Sequence, residues 1–254
     1  MIWALAGAVF IGLSLGLLGS GGSVLTVPVL IYLVGQDEKI AIAGSLGIVG
    51  AISLAAGIPY ARSGLVDFRN VLMFGLPGMV GAYFGAYLSS FVAGEVQILF
   101  FALLMLVAAL LMIRPHRRPA TPATRLRSPL KIAAEGLIVG VVTGFVGVGG
   151  GFLIVPALVL LGGLSMHRAI GTSLFIIAMK SFAGFYKYVD VLDELGLSLD
   201  WRILGIFAAV GTVGSFVGKI LASYLPQEQL RRGFAAFLVL IGAFVVYQNV
   251  PELL

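Results

Sequence analysis

The chain has 254 residues, 60% of them hydrophobic and 11% charged, and a mean hydropathy of +1.10. Soluble domains are roughly 45–50% apolar and about 25% charged, so this composition cannot cover a water-facing surface and places the whole chain in a lipid bilayer. The formal charge of +5 gathers mainly in one segment, Arg114 to Lys131, which is a membrane-topology signal and not a nucleic-acid footprint. With no cysteine, and with His116 and His167 as the two histidines, disulfides, thiolate chemistry and a histidine metal cluster are excluded, and no cofactor or metal is expected.

Met1-Ile2-Trp3-Ala4 is apolar from the start and lacks the charged opening of a signal peptide, so it is read as part of the first membrane segment. A hydrocarbon core about 30 Å thick takes about 20 apolar residues per helical span. Apolar stretches run over residues 2–34, 40–61, 71–92 and 96–113, then over 132–164, 169–189, 202–225 and 230–248. Between the two sets, Arg114-Pro115-His116-Arg117-Arg118-Pro119 through Ser128-Pro129 has no apolar period. It is a linker, and its arginines put it in the cytoplasm. The chain thus divides into a first membrane repeat, 1–113, a cytoplasmic linker, 114–131, and a second membrane repeat, 132–254.

The two halves repeat one another. A shift of 128 positions aligns Gly16-Leu17-Leu18-Gly19-Ser20-Gly21-Gly22 with Gly144-Phe145-Val146-Gly147-Val148-Gly149-Gly150, and Val27-Pro28 with Val155-Pro156. The same shift matches Ala41-Ile42-Ala43-Gly44-Ser45-Leu46 to Ala169-Ile170-Gly171-Thr172-Ser173-Leu174. After a five-residue insertion the shift becomes 133, pairing Asp67-Phe68-Arg69 with Asp200-Trp201-Arg202 and Gly78, Gly81 and Gly85 with Gly211, Gly214 and Gly218. The fold class is therefore an all-α integral membrane protein of two structural repeats, each with four membrane segments.

The first segment of each half is too long for one span and carries glycines at its middle. As helices, the part before the glycines measures about 24 Å and the part after about 18 Å, each short of a crossing. These lengths predict a glycine-broken or re-entrant helix, whose unwound backbone is tolerated only where protein or a water-filled cavity covers it. If the broken segments are re-entrant the halves are inverted; if they cross, the halves are parallel. The inverted arrangement puts Arg62, Arg69, Arg168, Arg231 and Arg232 inside with the linker and leaves Lys39, Lys187 and Arg202 outside. That charge balance favours inversion by a small margin.

Gly19-Ser20-Gly21-Gly22 and Gly147-Val148-Gly149-Gly150-Gly151 each precede an apolar helix. A helix that begins inside the membrane offers free N–H groups and a positive dipole end to an anion, as the discontinuous helices of transporters do. A tight turn or close helix packing is the plainer use of the same glycines; their recurrence at matched positions favours the ligand. Neither run ends in Lys-Ser or Lys-Thr, so neither is a nucleotide loop. Lys180 lies near the middle of the span 169–189. An ionisable group at that depth costs at least about 2.5–3.5 kcal/mol on insertion scales and is a functional position by default. The carboxylates lie in loops or near span ends, as Glu135 does, so a bound anion is its natural counter-charge. Ser45, with Gly44, and Thr172, with Ser173, supply matched hydroxyls that serve an oxyanion or their own helix carbonyls. Ser53 and Ser181 are a second matched pair, Ser181 adjoining Lys180.

Lys219 sits closer to a span end and snorkels. Arg62, Arg69, Lys187 and Arg202 are boundary charges. The stripes Gly78-x-x-Gly81-x-x-x-Gly85 and Gly211-x-x-Gly214-x-x-x-Gly218 let helices touch closely, either packing the halves together or joining two copies in a homodimer.

The doubled Gly-x-Gly-Gly pattern with its following Val-Pro, together with Gly171-Thr172-Ser173-Leu174 and Val66-Asp67-Phe68-Arg69 or Leu199-Asp200-Trp201-Arg202, resembles the sulfite exporter TauE/SafE family over nearly the whole chain. The resemblance implies a multi-pass carrier of the bacterial inner membrane that exports sulfite, sulfoacetate or a related sulfur-containing anion. The chain departs from that pattern at Lys180, where an asparagine is common. The expected substrate site is Gly19, Ser20, Gly21, Gly22, Ser45, Gly147, Gly149, Gly150, Gly151, Thr172, Ser173, Lys180 and Ser181, around a central cavity and without a catalytic residue. An anion channel is the alternative, and an intramembrane enzyme pairing Ser20 or Ser173 with Lys180 the more remote one.

Overall fold

A computed structural model of the chain describes residues 2–113, 128–146 and 151–249. Gly147, Gly149 and Gly150 of the expected site, and most of the linker, lie outside the described residues. Every regular element among the described residues is helical: α1 (Ile2–Leu18), α2 (Gly21–Pro28), α3 (Glu38–Arg62), α4 (Phe68–Ser89), α5 (Gly94–Ile113), α6 (Pro129–Val146), α7 (Gly151–Pro156), α8 (Met166–Glu194), α9 (Trp201–Tyr224) and α10 (Gln227–Asn249). Six of these, α3, α4, α6, α8, α9 and α10, are long and apolar enough to cross a membrane, with α1 and α5 containing shorter apolar stretches. Large apolar side chains such as Phe10, Phe84, Leu110, Ile138, Val213 and Leu240 face outward, which suits a surface solvated by lipid. The chain is a multi-pass membrane protein.

Local chemistry explains several boundaries. Asp67 caps α4 by accepting from the Asn70 N–H, and Asp200 caps α9 by accepting from Arg202 and Ile203, so the matched aspartates are helix starts. Pro28 and Pro156 each end a short helix, and both are followed by a π-helical turn, Val29–Leu33 and Ala157–Leu161. Proline removes one donor and crowds the preceding turn, and the widened register shows in the bonds Val34 N–H to Val29 O and Gly162 N–H to Ala157 O.

Helix directions follow from which residues face the glycines. Gly7 of α1 faces Val29 and Leu33, while Gly22 faces Ile11 and Leu15, so α1 and the α2 segment form an antiparallel hairpin with its tip at Gly19-Ser20. Gly12 packs on Gly211 and Gly16 on Ser215, making α1 and α9 parallel. Gly136, Gly140 and Gly144 pack on Phe74, Gly78 and Ala82, making α6 and α4 parallel. The central pair behaves differently: Gly47, Gly50 and Gly57 of α3 face Phe185, Phe182 and Phe175 of α8, so α3 and α8 are antiparallel. Around Phe74 and Gly75, α4 meets Gly136 of α6 on one side and Ile176 and Met179 of α8 on the other. Asp67 at the start of α4 meets Thr172 and Gly78 meets Lys180, so α4 and α8 are parallel; α6, parallel to α4, therefore runs in the same direction as α8, and the chain between them has to return. The glycine stripes do their packing within the chain, Gly81 and Gly85 against the Leu137 and Val141 carbonyls, Gly214 and Gly218 against those of Val9 and Leu13.

Candidate functional site

The hairpin tip is built around one residue that only glycine tolerates well. Gly19 has φ 74°, and a Cβ there would lie 2.8 Å from the Ile170 Cα. Two side chains pin the tip from outside: Ser173 Oγ donates to the Gly19 carbonyl at 3.1 Å, and Tyr60 OH donates to the Gly16 carbonyl at 2.7 Å. Ser20 then starts α2 without capping it. Its hydroxyl is fully buried and has no hydrogen-bond partner among the described residues.

The second broken segment arrives at the same place. A Cβ on Gly151, the first residue of α7, would lie 2.6 Å from Ser20 Cβ and 2.6 Å from Ile177 Cδ1. Ser20 and Gly151, 131 positions apart in sequence, thus meet against the middle of α8. One helical turn beyond Ile177, Lys180 leaves α8 with 1% of its surface exposed. Its stem crosses the face of α4 where Gly78 provides the room: a Cβ there would lie 3.0 Å from Lys180 Cδ and 3.4 Å from Cε. Among the described residues the Lys180 Nζ has no hydrogen-bond partner, and the same is true of Ser181 Oγ and of Ser53 Oγ on α3. The α3–α8 register, with Gly50 facing Phe182 and Gly57 facing Phe175, puts Ser53 at the level of Ser181 and Lys180.

Most buried polar groups in proteins are paired, and an unpaired buried ammonium costs several kcal/mol. Four unpaired buried polar side chains, Ser20, Ser53, Lys180 and Ser181, are therefore the part of the molecule best prepared for a ligand. Chemically they offer hydroxyl and ammonium donors, which is what an oxyanion accepts from. No group of three or more metal-ligating side chains occurs among the described residues.

The other expected site residues have different occupations. Ser45 donates to the Ile42 carbonyl, Ser173 holds the hairpin tip, and Thr172 Oγ1 accepts from the Asp67 N–H at 2.9 Å. Gly22 packs into α1 at the Ile11 carbonyl and Leu15, and Gly21 opens α2 beside it. Ser45, Thr172 and Ser173 thus have partners within the fold, whereas Ser20, Ser53, Lys180 and Ser181 have none among the described residues.

A polar network not anticipated from the sequence lies at one end of the bundle. Lys39 Nζ donates to the Ser89 and Val92 carbonyls at 2.8 and 3.0 Å and to Gln97 Oε1 at 2.9 Å. Gln97 Nε2 in turn donates to the Phe145 carbonyl at 2.7 Å, which also accepts from Tyr188 OH at 3.4 Å. At the start of α8, the matching His167 Nε2 lies 3.2 Å from the Ala222 carbonyl. Tyr60 and Tyr188 are related by the same 128-residue shift as the glycines, and that match was the available signal.

A 248-residue alignment is 34% identical to a "probable membrane transporter protein" of Xylella fastidiosa, covering 94% of this chain and 92% of that protein. A "probable membrane transporter protein YunE" of Bacillus subtilis is 26% identical over 92% of this chain and 93% of its own length. A relative of the same description in Haemophilus influenzae is also 26% identical, over 91% of this chain and 92% of its own length. No solved structure matches the chain. These names describe transporters and not enzymes. Residues 4–245 match the family described as sulfite exporter TauE/SafE, and the chain is a membrane transporter belonging to that family.

Proposed function

We propose that the protein exports a small sulfur-containing anion, sulfite, sulfoacetate or a related organosulfonate, across the bacterial inner membrane, binding it in a central chamber between two inverted repeats. The observation that carries this reading is the set of unpaired buried donors, Ser20, Ser53, Lys180 and Ser181, at the level where the two broken segments meet. The anion sits against Lys180, receives hydroxyls from Ser20, Ser53 and Ser181, and faces backbone N–H groups of Gly21 and Gly22 at the start of α2. Gly151 approaches it from the other break, while Gly19, Ser45, Thr172 and Ser173 hold the chamber walls.

Inversion is supported by the antiparallel α3 and α8, which match under the 128-residue shift. Equivalent helices that pair antiparallel are related by an axis across them, as in inverted-repeat transporters. The exchange of partners supports it too, since α1 packs on α9 as α6 packs on α4. With the linker inside, the negative-inside potential contributes about 2.3 kcal/mol per charge per 100 mV to anion exit. Purified protein in liposomes is expected to show saturable flux of sulfite or a sulfonate when sulfite, sulfoacetate, sulfate and thiosulfate are compared. Flux that fails to saturate would indicate a channel, and no flux of any of the four would refute the reading.

A further inference from the structure

Resting on that reading and narrowing it, we infer that the chamber selects singly charged oxyanions, hydrogensulfite or a monosulfonate, over doubly charged ones such as sulfoacetate, because one ammonium is its entire fixed charge. Among the described residues Lys180 is the only charged side chain that is fully buried, and no ion pair involves it. Glu135, beside Gly136 on α6, is half-buried and has an interaction of its own.

The matching half of the molecule supplies no second charge. The position equivalent to Lys180 under the 128-residue shift is Ile52, and the position equivalent to Gly78 under the 133-residue shift is Gly211. Ile52 Cδ1 lies against Gly211 as the Lys180 stem lies against Gly78. The two slots have the same construction, a glycine on one helix admitting a long side chain from its neighbour. One of them is filled by an apolar group. Ser20, Ser53 and Ser181 add neutral donors, which stabilise oxygen atoms without compensating a further unit of charge. A monoanion bound to Lys180 leaves the chamber neutral. A dianion leaves one uncompensated negative charge in a dry interior, where isolated charge is strongly disfavoured.

The test uses methanesulfonate and sulfate, tetrahedral sulfur oxyanions of similar size that differ in charge, with the full chain in liposomes. Wild-type protein is expected to take up methanesulfonate with sulfate at least about tenfold weaker, both as substrate and as competitor, a modest demand given the cost of an unpaired buried charge. Ile52→Lys places a second ammonium in the slot over Gly211, and the sulfate-to-methanesulfonate ratio is expected to rise by about tenfold or more. Sulfate transported by the wild type as well as methanesulfonate would overturn the inference, whatever the variant does. So would an Ile52→Lys protein that reaches the membrane and carries methanesulfonate with the ratio unchanged. If the wild type moves neither sulfite nor a sulfonate of either charge, the transport reading itself falls and takes this inference with it.

Discussion

Lys180 lies across Gly78, its Cδ 3.0 Å from where a Cβ would stand, so the depth of the lysine in the bundle depends on the absence of a side chain on the facing helix. Gly78→Val is therefore expected to lower anion affinity by about tenfold or more by displacing the ammonium, a change of about 1.4 kcal/mol. Gly78→Ala, which also faces the Gly136 carbonyl at 3.3 Å, is expected to have a smaller effect in the same direction. Substrate protection against heating, measured for each purified variant, reads the affinity separately from the fold.

Tyr60 anchors the first hairpin through the Gly16 carbonyl at 2.7 Å. Tyr60→Phe removes this bond while keeping the ring, at an expected cost of about 1 kcal/mol. The melting temperature of the detergent-solubilised protein should fall by a few degrees with substrate selectivity unchanged. A changed selectivity would mean that the hydroxyl touches substrate.

Much of this architecture was legible in the sequence because glycine, proline and N-cap aspartate act locally. The break at Gly19 was read from its glycines; the π-turns after Pro28 and Pro156 and the helix starts at Asp67 and Asp200, matched in the sequence only as repeated motifs, rest on the same local backbone chemistry. Lys180 was legible for a related reason, since an ionisable residue in the middle of an apolar span has no local use. Hydroxyl roles were not legible. Whether Ser173 or Ser181 keeps a free donor depends on which carbonyl lies opposite, and Ser173 meets Gly19 whereas Ser181 meets none. The Lys39, Gln97 and Phe145 network escaped for the same reason: it joins α3, α5 and α6, separated by dozens of residues, and Lys39 alone looks like an ordinary boundary charge.

Lys39 begins α3 and Arg168 begins α8, and the two helices are antiparallel. Because the chain contains no cysteine, Lys39→Cys and Arg168→Cys give single reporters on a silent background. A membrane-impermeant thiol reagent is expected to label position 39 from outside intact cells and position 168 only after permeabilisation. Labelling of both from the same side would refute the inverted arrangement.

The most direct test of the central claim is substrate flux through Lys180→Ala in liposomes, beside wild-type protein at matched incorporation and melting temperature. Removing the one buried ammonium is expected to abolish saturable sulfite or sulfonate flux or to weaken it by at least about a hundredfold, as loss of a buried charge partner worth about 3 kcal/mol would do. Flux and affinity equal to those of the wild type would contradict the account, since the anion would then be carried without the charge on which the proposed site is built.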